Sequence, residues 1–315
     1  MHHNHHHHHH QMFEGGQGAQ GVARVLLWCI IVNFAYVVYE GAAGFSVGAV
    51  SLLSDAGHNL LDVCSLALSL FAVRLAAVEP SAQYTYGFKK TTVLISLINA
   101  LLLLVAVVLI AFESIDKLVM SRHVDGMTIS VTAFVGILVN GATAYLLMRR
   151  SRDDINIRAA FLHMLTDTLV SVGVVVSGVI IYLTDFTYID PIVGLLVAVI
   201  IVVASWRLLM QSIRMVIDGV PETIDTVLLA SAIAEVQHVR DVHHMHVWAL
   251  STTETALTAH VVIDDLRNMD TVKEEVKDTL RRMGVSHSTL EIETEDHPCH
   301  ERRCVGDDDD DDDDA

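Results

Sequence analysis

Residues 54–62 read Ser-Asp-Ala-Gly-His-Asn-Leu-Leu-Asp and lie inside a long apolar run. On a helix, His58 and Asp62 stand at positions i and i+4, so both side chains leave one face within a single turn. The same spacing returns in a second apolar run as His163 and Asp167. Two such helices offer two imidazoles and two carboxylates, and this donor set can hold one divalent ion.

An ionisable side chain in an apolar helix is costly and indicates a functional site. An interhelical hydrogen bond would explain one such residue, but it explains two matched pairs poorly. Two imidazoles and two carboxylates in a tetrahedral arrangement suit Zn²⁺, with Co²⁺ next, whereas Mg²⁺ and Ca²⁺ prefer oxygen ligands alone. Because a metal must displace the imidazole proton, the same groups bind either the ion or protons, which predicts metal/proton exchange.

Other polar residues also lie in the apolar runs. Asp55, three residues before His58, either orients that imidazole or makes a helix-packing hydrogen bond. Glu40 is a further polar residue of this kind. Interhelical hydrogen bonds are predicted for three asparagines, namely Asn33, Asn99 and Asn140.

The composition indicates a membrane protein. The chain has 315 residues, of which 52% are hydrophobic, and its mean hydropathy of +0.46 is too high for an ordinary soluble domain. A helix needs about 20 apolar residues to cross a hydrocarbon core of about 30 Å. Six segments fit this length or extend to it: 25–45, 47–73, 91–112, 126–148, 159–184 and 191–206. They predict a six-helix transmembrane domain over residues 24–218.

The positions of Lys and Arg predict the orientation of these helices. Lys89 and Lys90 follow the second segment, and four arginines from Arg149 to Arg158 follow the fourth. The loop 185–190 on the opposite side has no Lys or Arg. By the positive-inside rule, the sequence predicts a multi-pass protein of the cell (inner or plasma) membrane with both termini in the cytoplasm.

Residues 219–296 predict a small cytoplasmic domain after the last span. Apolar periodicity gives the order α-β-β-α-β, which favours a ferredoxin-like α+β fold. The net charge of the chain is −18, so a nucleic acid partner is not expected.

Histidines and carboxylates lie on the predicted strands of this domain. Alternation along the first strand places His244 and His246 on one face and His243 on the other. Surface histidines are common without a ligand, so a metal site and a solvated surface both remain open. The remaining candidates, on the later strands, are His260, Glu291 and Glu293.

Both ends of the chain predict disorder. Residues 1–23 begin with a polyhistidine run, which is either a purification tag or a metal-gathering arm, and their polarity predicts no cleavable signal peptide. Residues 297–315 end in a self-repelling run of aspartates. Before that run, Cys299 and Cys304 lie beside two histidines, where a metal site or a solvated tail is possible.

The sequence resembles the cation diffusion facilitator family, specifically its zinc-transporting branch. The resemblance extends over residues 24–296, and the paired His-x-x-x-Asp spacing makes it specific. The residues that match are 54–62, 161–167, Tyr86-Gly87-Phe88-Lys89-Lys90, Asp190-Pro191, Val242-His243 and Ala259-His260.

The resemblance implies a Y-shaped homodimer of six-helix subunits, each with a cytoplasmic ferredoxin-like domain. It assigns His58, Asp62, His163 and Asp167 to the transport site, in a version associated with zinc in preference to cadmium. Further assignments that it implies are regulatory zinc ions at His243, His260, Glu291 and Glu293, and a charge interlock of Lys90 with Asp218 that fastens the dimer.

Two features of some family members are missing from this sequence. The loop 79–88 has no histidine, so the additional metal site of that loop is not expected. A histidine-rich loop between the fourth and fifth helices is also missing, and the N-terminal histidines could substitute for it.

The sequence therefore predicts a Zn²⁺/H⁺ antiporter that exports zinc from the cytoplasm by alternating access. Co²⁺ and Cd²⁺ are alternative substrates, and a membrane zinc sensor or a passive metal channel is an alternative function. An enzyme is not expected, since a metalloprotease signature such as His-Glu-x-x-His does not occur.

Overall fold

The structure is a computed structural model. It describes residues 12–47, 50–119, 126–152, 154–184 and 188–295. The chain divides into two compact units, Met1–Ser212 and Ile213–Ala315. The polyhistidine run and the tail with Cys299 and Cys304 lie outside the described residues, so the predictions for them stay predictions.

The described part of the first unit is built from six long helices, the last of which ends four residues beyond Ser212. Each is longer than about 30 Å at about 1.5 Å per residue, which confirms the predicted six-helix fold class. Helix α1 begins at Met12, inside the arm that the sequence predicts to be disordered up to residue 23, and no proline interrupts the helix there. The helices are α1 Met12–Val47, α2 Val50–Ala76, α3 Lys90–Val119, α4 Gly126–Met148, α5 Ile155–Thr184 and α6 Ile189–Val216.

The outer surface of these helices is apolar. Large side chains such as Phe34, Val105 and Val203 are more than half exposed, as lipid-facing side chains of a membrane bundle are. Helix α4 contributes a shorter apolar segment, Phe134–Met148. Within the described residues, four spans are long and apolar enough to cross a membrane: Gln20–Ser46, Asn59–Ala76, Lys90–Asp116 and Pro191–Val216.

Helices α2 and α5 run antiparallel and in step. Asp62 of α2 contacts His163 of α5. Seven residues later on α2, Ser69 Oγ donates to the carbonyl oxygen of Asn156, which is seven residues earlier on α5, at 3.4 Å. The two contacts fix the register, because the residue number rises by seven on α2 where it falls by seven on α5. The same register brings the backbone of residue 58 level with that of Asp167.

Buried polar side chains join further pairs of helices. Asn99 Nδ2 of α3 donates to Ser69 Oγ of α2 at 3.0 Å, and Asn33 Nδ2 of α1 donates to Thr143 Oγ1 of α4 at 2.9 Å. The predicted interhelical hydrogen bonds are therefore confirmed for Asn33 and Asn99, and the one for Asn140 stays a prediction.

The second unit contains the α+β domain in the predicted order. Its three-stranded sheet has the order β1-β2-β3, with β1 antiparallel and β3 parallel to the central strand β2. Helix α8 provides the crossover that a parallel pair requires, and its Val272, Val276 and Leu280 pack into the core. The elements are α7 Thr226–Ala234, β1 Val239–Ala249, β2 Thr255–Ile263, α8 Met269–Arg282 and β3 Val285–Thr294.

A β-bulge interrupts β1. His243 pairs with His260, but the next pair is His246 with Thr258, so β1 has one more residue than β2 in this stretch. His244 lies in the bulge with a φ of 50°. The strict alternation predicted for β1 is therefore wrong beyond His243, because one unpaired residue reverses the faces that follow it.

Candidate metal centres

The first cluster lies within the helical unit. Asp62 comes from α2, and His163 and Asp167 come from α5, one turn apart. One ligand atom from each of the three lies within 4.8 Å of the other two. An oxygen of Asp62 contacts Nε2 of His163 directly. The structure thus brings together three of the four residues predicted for the transport site.

This cluster is removed from solvent. The exposed fractions of Asp62, His163 and Asp167 are 1%, 3% and 7%. Two carboxylates in such surroundings are costly unless a cation or protons compensate their charge. Among the described residues, Oδ2 of Asp62 has no hydrogen-bond partner. A divalent cation bound between these side chains would satisfy that oxygen and balance both charges.

The fourth predicted ligand, His58, lies on α2 one turn before Asp62. Its side chain is outside the described part of the structure, so its role as a ligand stays a prediction. The antiparallel register of α2 and α5 supports it, since the backbone of residue 58 is level with that of Asp167. A fourth donor on that side would complete a tetrahedral set.

The second cluster lies on the sheet of the C-terminal unit. His243, His260 and Glu293 each offer one ligand atom within 4.8 Å of the others. His260 Nδ1 contacts an oxygen of Glu293, and Nε2 of His243 is 3.6 Å from the other oxygen of Glu293. Glu291 Oε2 lies 3.5 Å from His260 Nε2, at the margin of the cluster. All four residues predicted for this domain therefore lie together.

The bulge adds His244 and His246, which the sequence placed together but on the face opposite to His243. The ring of His244 stacks on that of His260 with centroids 4.8 Å apart, and it lies 5.0 Å from the ring of His246. The sequence did contain a signal for this arrangement. Val242, Met245 and Val247 pack on the core, and their spacing of three and then two residues is typical of a bulge rather than of a regular strand.

The residues predicted for the dimer interlock lie at the ends of helices. Lys90 begins α3, and Asp218 follows α6 with a φ of 60°. They belong to different units of the chain. The interlock between them therefore stays a prediction.

A third group of charges lies outside both clusters. Asp265 accepts hydrogen bonds from the backbone and side chain of Arg267 at the start of a single 3₁₀ turn, and these bonds lower the pKa of Asp265 to about 2. A hydrogen bond that His238 Nδ1 donates to Asp264 Oδ2 at 2.9 Å lowers the pKa of Asp264 in the same way. These exposed pairs show how carboxylates of this domain are satisfied by protein partners alone.

Comparison with known proteins covers nearly all of the chain. The cation efflux transmembrane domain matches residues 26–217, and the cytoplasmic domain of cation efflux proteins matches residues 221–295. The zinc transporter ZitB of Escherichia coli (strain K12) is 33% identical over 285 residues, covering 90% of each chain.

Two further relatives are also similar over most of their length. The cadmium, cobalt and zinc/H(+)-K(+) antiporter of Bacillus subtilis is 29% identical over 279 residues, covering 87% of this chain and 90% of the relative. The metal cation efflux system protein CzcD of Cupriavidus metallidurans is 28% identical over 283 residues, covering 89% of each. The chain therefore belongs to the cation efflux (cation diffusion facilitator) family, a family of multi-pass membrane transporters that export divalent metal ions.

Proposed function

We propose that the chain exports zinc from the cytoplasm in exchange for protons. Asp62, His163 and Asp167, together with His58, form the transport site. The observation that supports this most strongly is the burial of two carboxylates and an imidazole, with ligand atoms within 4.8 Å, between α5 and α2, whose segment Asn59–Ala76 is apolar enough for a membrane. The zinc transporter and proton antiporter named among the relatives support the same substrate and coupling.

Charge balance provides the mechanism of exchange. Two carboxylates neutralise one Zn²⁺, so the loaded site has no net charge in the bilayer. When the ion leaves, protons on the imidazoles and carboxylates restore neutrality, because bound metal and bound protons exclude each other. The helices then return the protonated site to the cytoplasmic side, and a new ion displaces the protons. Co²⁺ and Cd²⁺ are the expected competing substrates.

The C-terminal cluster has a different role in this proposal. His243, His260, Glu291 and Glu293 hold zinc ions that regulate transport from the cytoplasm. The protein is a homodimer of the cell membrane with both termini in the cytoplasm, and Lys90 with Asp218 fastens the dimer.

Zinc flux into proteoliposomes tests the proposal. Vesicles with an acidic interior are expected to accumulate zinc against its concentration gradient, and collapse of the proton gradient is expected to stop accumulation. The Asp62→Asn variant is expected to be incorporated into the vesicles to the same extent as the parent protein and to show only background zinc flux. Flux that follows the zinc gradient regardless of protons would identify a channel. Zinc binding without flux in the parent protein would identify a sensor.

A further inference from the structure

Glu40 is a buried carboxylate that neither metal cluster uses. It lies in the apolar span Gln20–Ser46 of α1 and is only 2% exposed. Asn59 Nδ2 of α2 donates to its Oε2 at 2.6 Å, and Tyr36 Oη donates to its Oε1 at 3.1 Å. An ionisable residue in a membrane helix is a functional candidate because its burial is costly.

The partner of Glu40 lies beside the transport site. Asn59 follows His58 directly and precedes Asp62 by three residues, so all three share one turn of α2. A bond from α1 to Asn59 therefore limits the rotation and sliding of the turn that presents the ligands. A hydrogen bond that an amide donates to an ionised carboxylate is stronger than one to a neutral acceptor.

Helix packing alone does not require a charge at this position. Two turns earlier on the same helix, Asn33 reaches Thr143 of α4 through a neutral hydrogen bond of 2.9 Å. A glutamine at position 40 would join α1 to α2 in the same neutral manner, at a lower desolvation cost than a carboxylate. The carboxylate is therefore explained by a need for a stiffer connection than packing demands.

The phenol of Tyr36 lies against α4 at Gly136, where there is no side chain. A Cβ atom added at Gly136 would lie 2.9 Å from Tyr36 Oη, so the glycine makes room for the hydroxyl. Tyr36 in turn lies one turn before Glu40 and binds its Oε1. Tyr36 of α1, which packs at Gly136 of α4, thus helps to orient the Glu40 carboxylate towards α2.

We propose that Glu40 is a positioning residue of the transport site. Through Asn59, it holds the turn of α2 that presents His58 and Asp62 to the ion. The inference rests on the proposed transport function. Loss of this contact misplaces the ligands, so it raises the KM for zinc more than it lowers kcat, and it leaves the number of protons exchanged per zinc unchanged.

A double-mutant cycle in proteoliposomes tests this role. Glu40→Ala and Asn59→Ala are each expected to raise the zinc KM by about 10-fold, the lower end of the effect of removing a residue that orients a metal ligand. The double variant is expected to show no larger KM than either single variant, because both remove one contact. Glu40→Gln keeps an oxygen for Asn59, so its KM is expected to lie between those of the parent and Glu40→Ala.

The matched control is Asn33→Ala, which breaks a hydrogen bond from the same helix to α4 rather than to α2. It is expected to lower the thermal stability but to leave the zinc KM unchanged. Effects of Glu40→Ala and Asn59→Ala that multiply in the double variant would overturn the proposal, as would a Glu40→Gln variant as impaired as Glu40→Ala. A parent protein without proton-driven zinc flux would contradict the proposed function instead.

Discussion

The cluster of Asp62, His163 and Asp167, here called the membrane cluster, joins Asp62 and His163, which are 101 residues apart in sequence. The C-terminal cluster instead joins residues on adjacent strands of one sheet. Both combine imidazoles with carboxylates. All three described members of the first are buried, while His243 and His260 of the second are partly exposed. Water can therefore solvate the charged groups of the second cluster when no metal is bound. The first needs an ion or protons, as an exchange site must.

Loss of a carboxylate from the membrane cluster has the largest expected effect. Asp167→Asn removes one of the two charges that balance the ion, so zinc flux is expected to fall by about 100-fold or more, beyond the usual effect of an orienting residue. Initial rates in proteoliposomes measure it. We expect zinc to raise the Tm of the parent protein by binding at the C-terminal cluster, and we expect this rise to persist in the variant because that cluster is intact. A variant with parental flux would show that the buried cluster is not the transport site.

A substitution in the C-terminal cluster is expected to have an intermediate effect. His260→Ala removes the imidazole that contacts both Glu291 and Glu293, so it is expected to abolish most of the zinc-induced rise in Tm. Flux is expected to fall several-fold and to remain coupled to protons, since the exchange site is untouched.

The matched control for this substitution is His238→Ala in the same domain. His238 pairs with Asp264 at 2.9 Å outside the cluster, so its loss is expected to leave the zinc response unchanged. Equal losses of flux in the His260→Ala and Asp167→Asn variants would remove the functional distinction between the two clusters.

The smallest expected effect is at Asp265, whose carboxylate depends on Arg267 rather than on a metal. Its pKa of about 2 lies below the usual value of about 3.9, so its stabilising contribution is present above about pH 4 and is lost as the pH falls through about 2. Asp265→Asn is expected to lower the Tm slightly at pH 7, with a difference that shrinks towards pH 2. Thermal melts across this range measure it. Zinc flux at pH 7 is expected to be parental.

The sequence was sufficient to predict features that depend on local spacing. The i, i+4 spacing predicted that His163 and Asp167 lie on one face of α5, because helix geometry alone fixes that relation. The order of elements in the C-terminal domain followed from the apolar periodicity in the same way. The interhelical bonds of Asn33 and Asn99 followed from the cost of a polar group in an apolar run.

Two features that depend on the exact placement of one element against another were not predicted. One unpaired residue in β1 places His244 on the same face of the sheet as His260, whereas regular alternation predicted it on the face away from His243. The contact between Glu40 and Asn59 depends on the rotation of α1 against α2, which no spacing within either helix fixes. In both cases the deciding quantity is a relation between two elements.

The position of bound zinc tests the central claim most directly. Anomalous diffraction at the zinc absorption edge from crystals of the zinc-loaded protein would locate each ion. The account predicts one peak about 2.0–2.2 Å from donor atoms of Asp62, His163, Asp167 and His58, and a separate peak at His243, His260 and Glu293. Peaks at the C-terminal cluster alone, with none between α2 and α5 at saturating zinc, would contradict it.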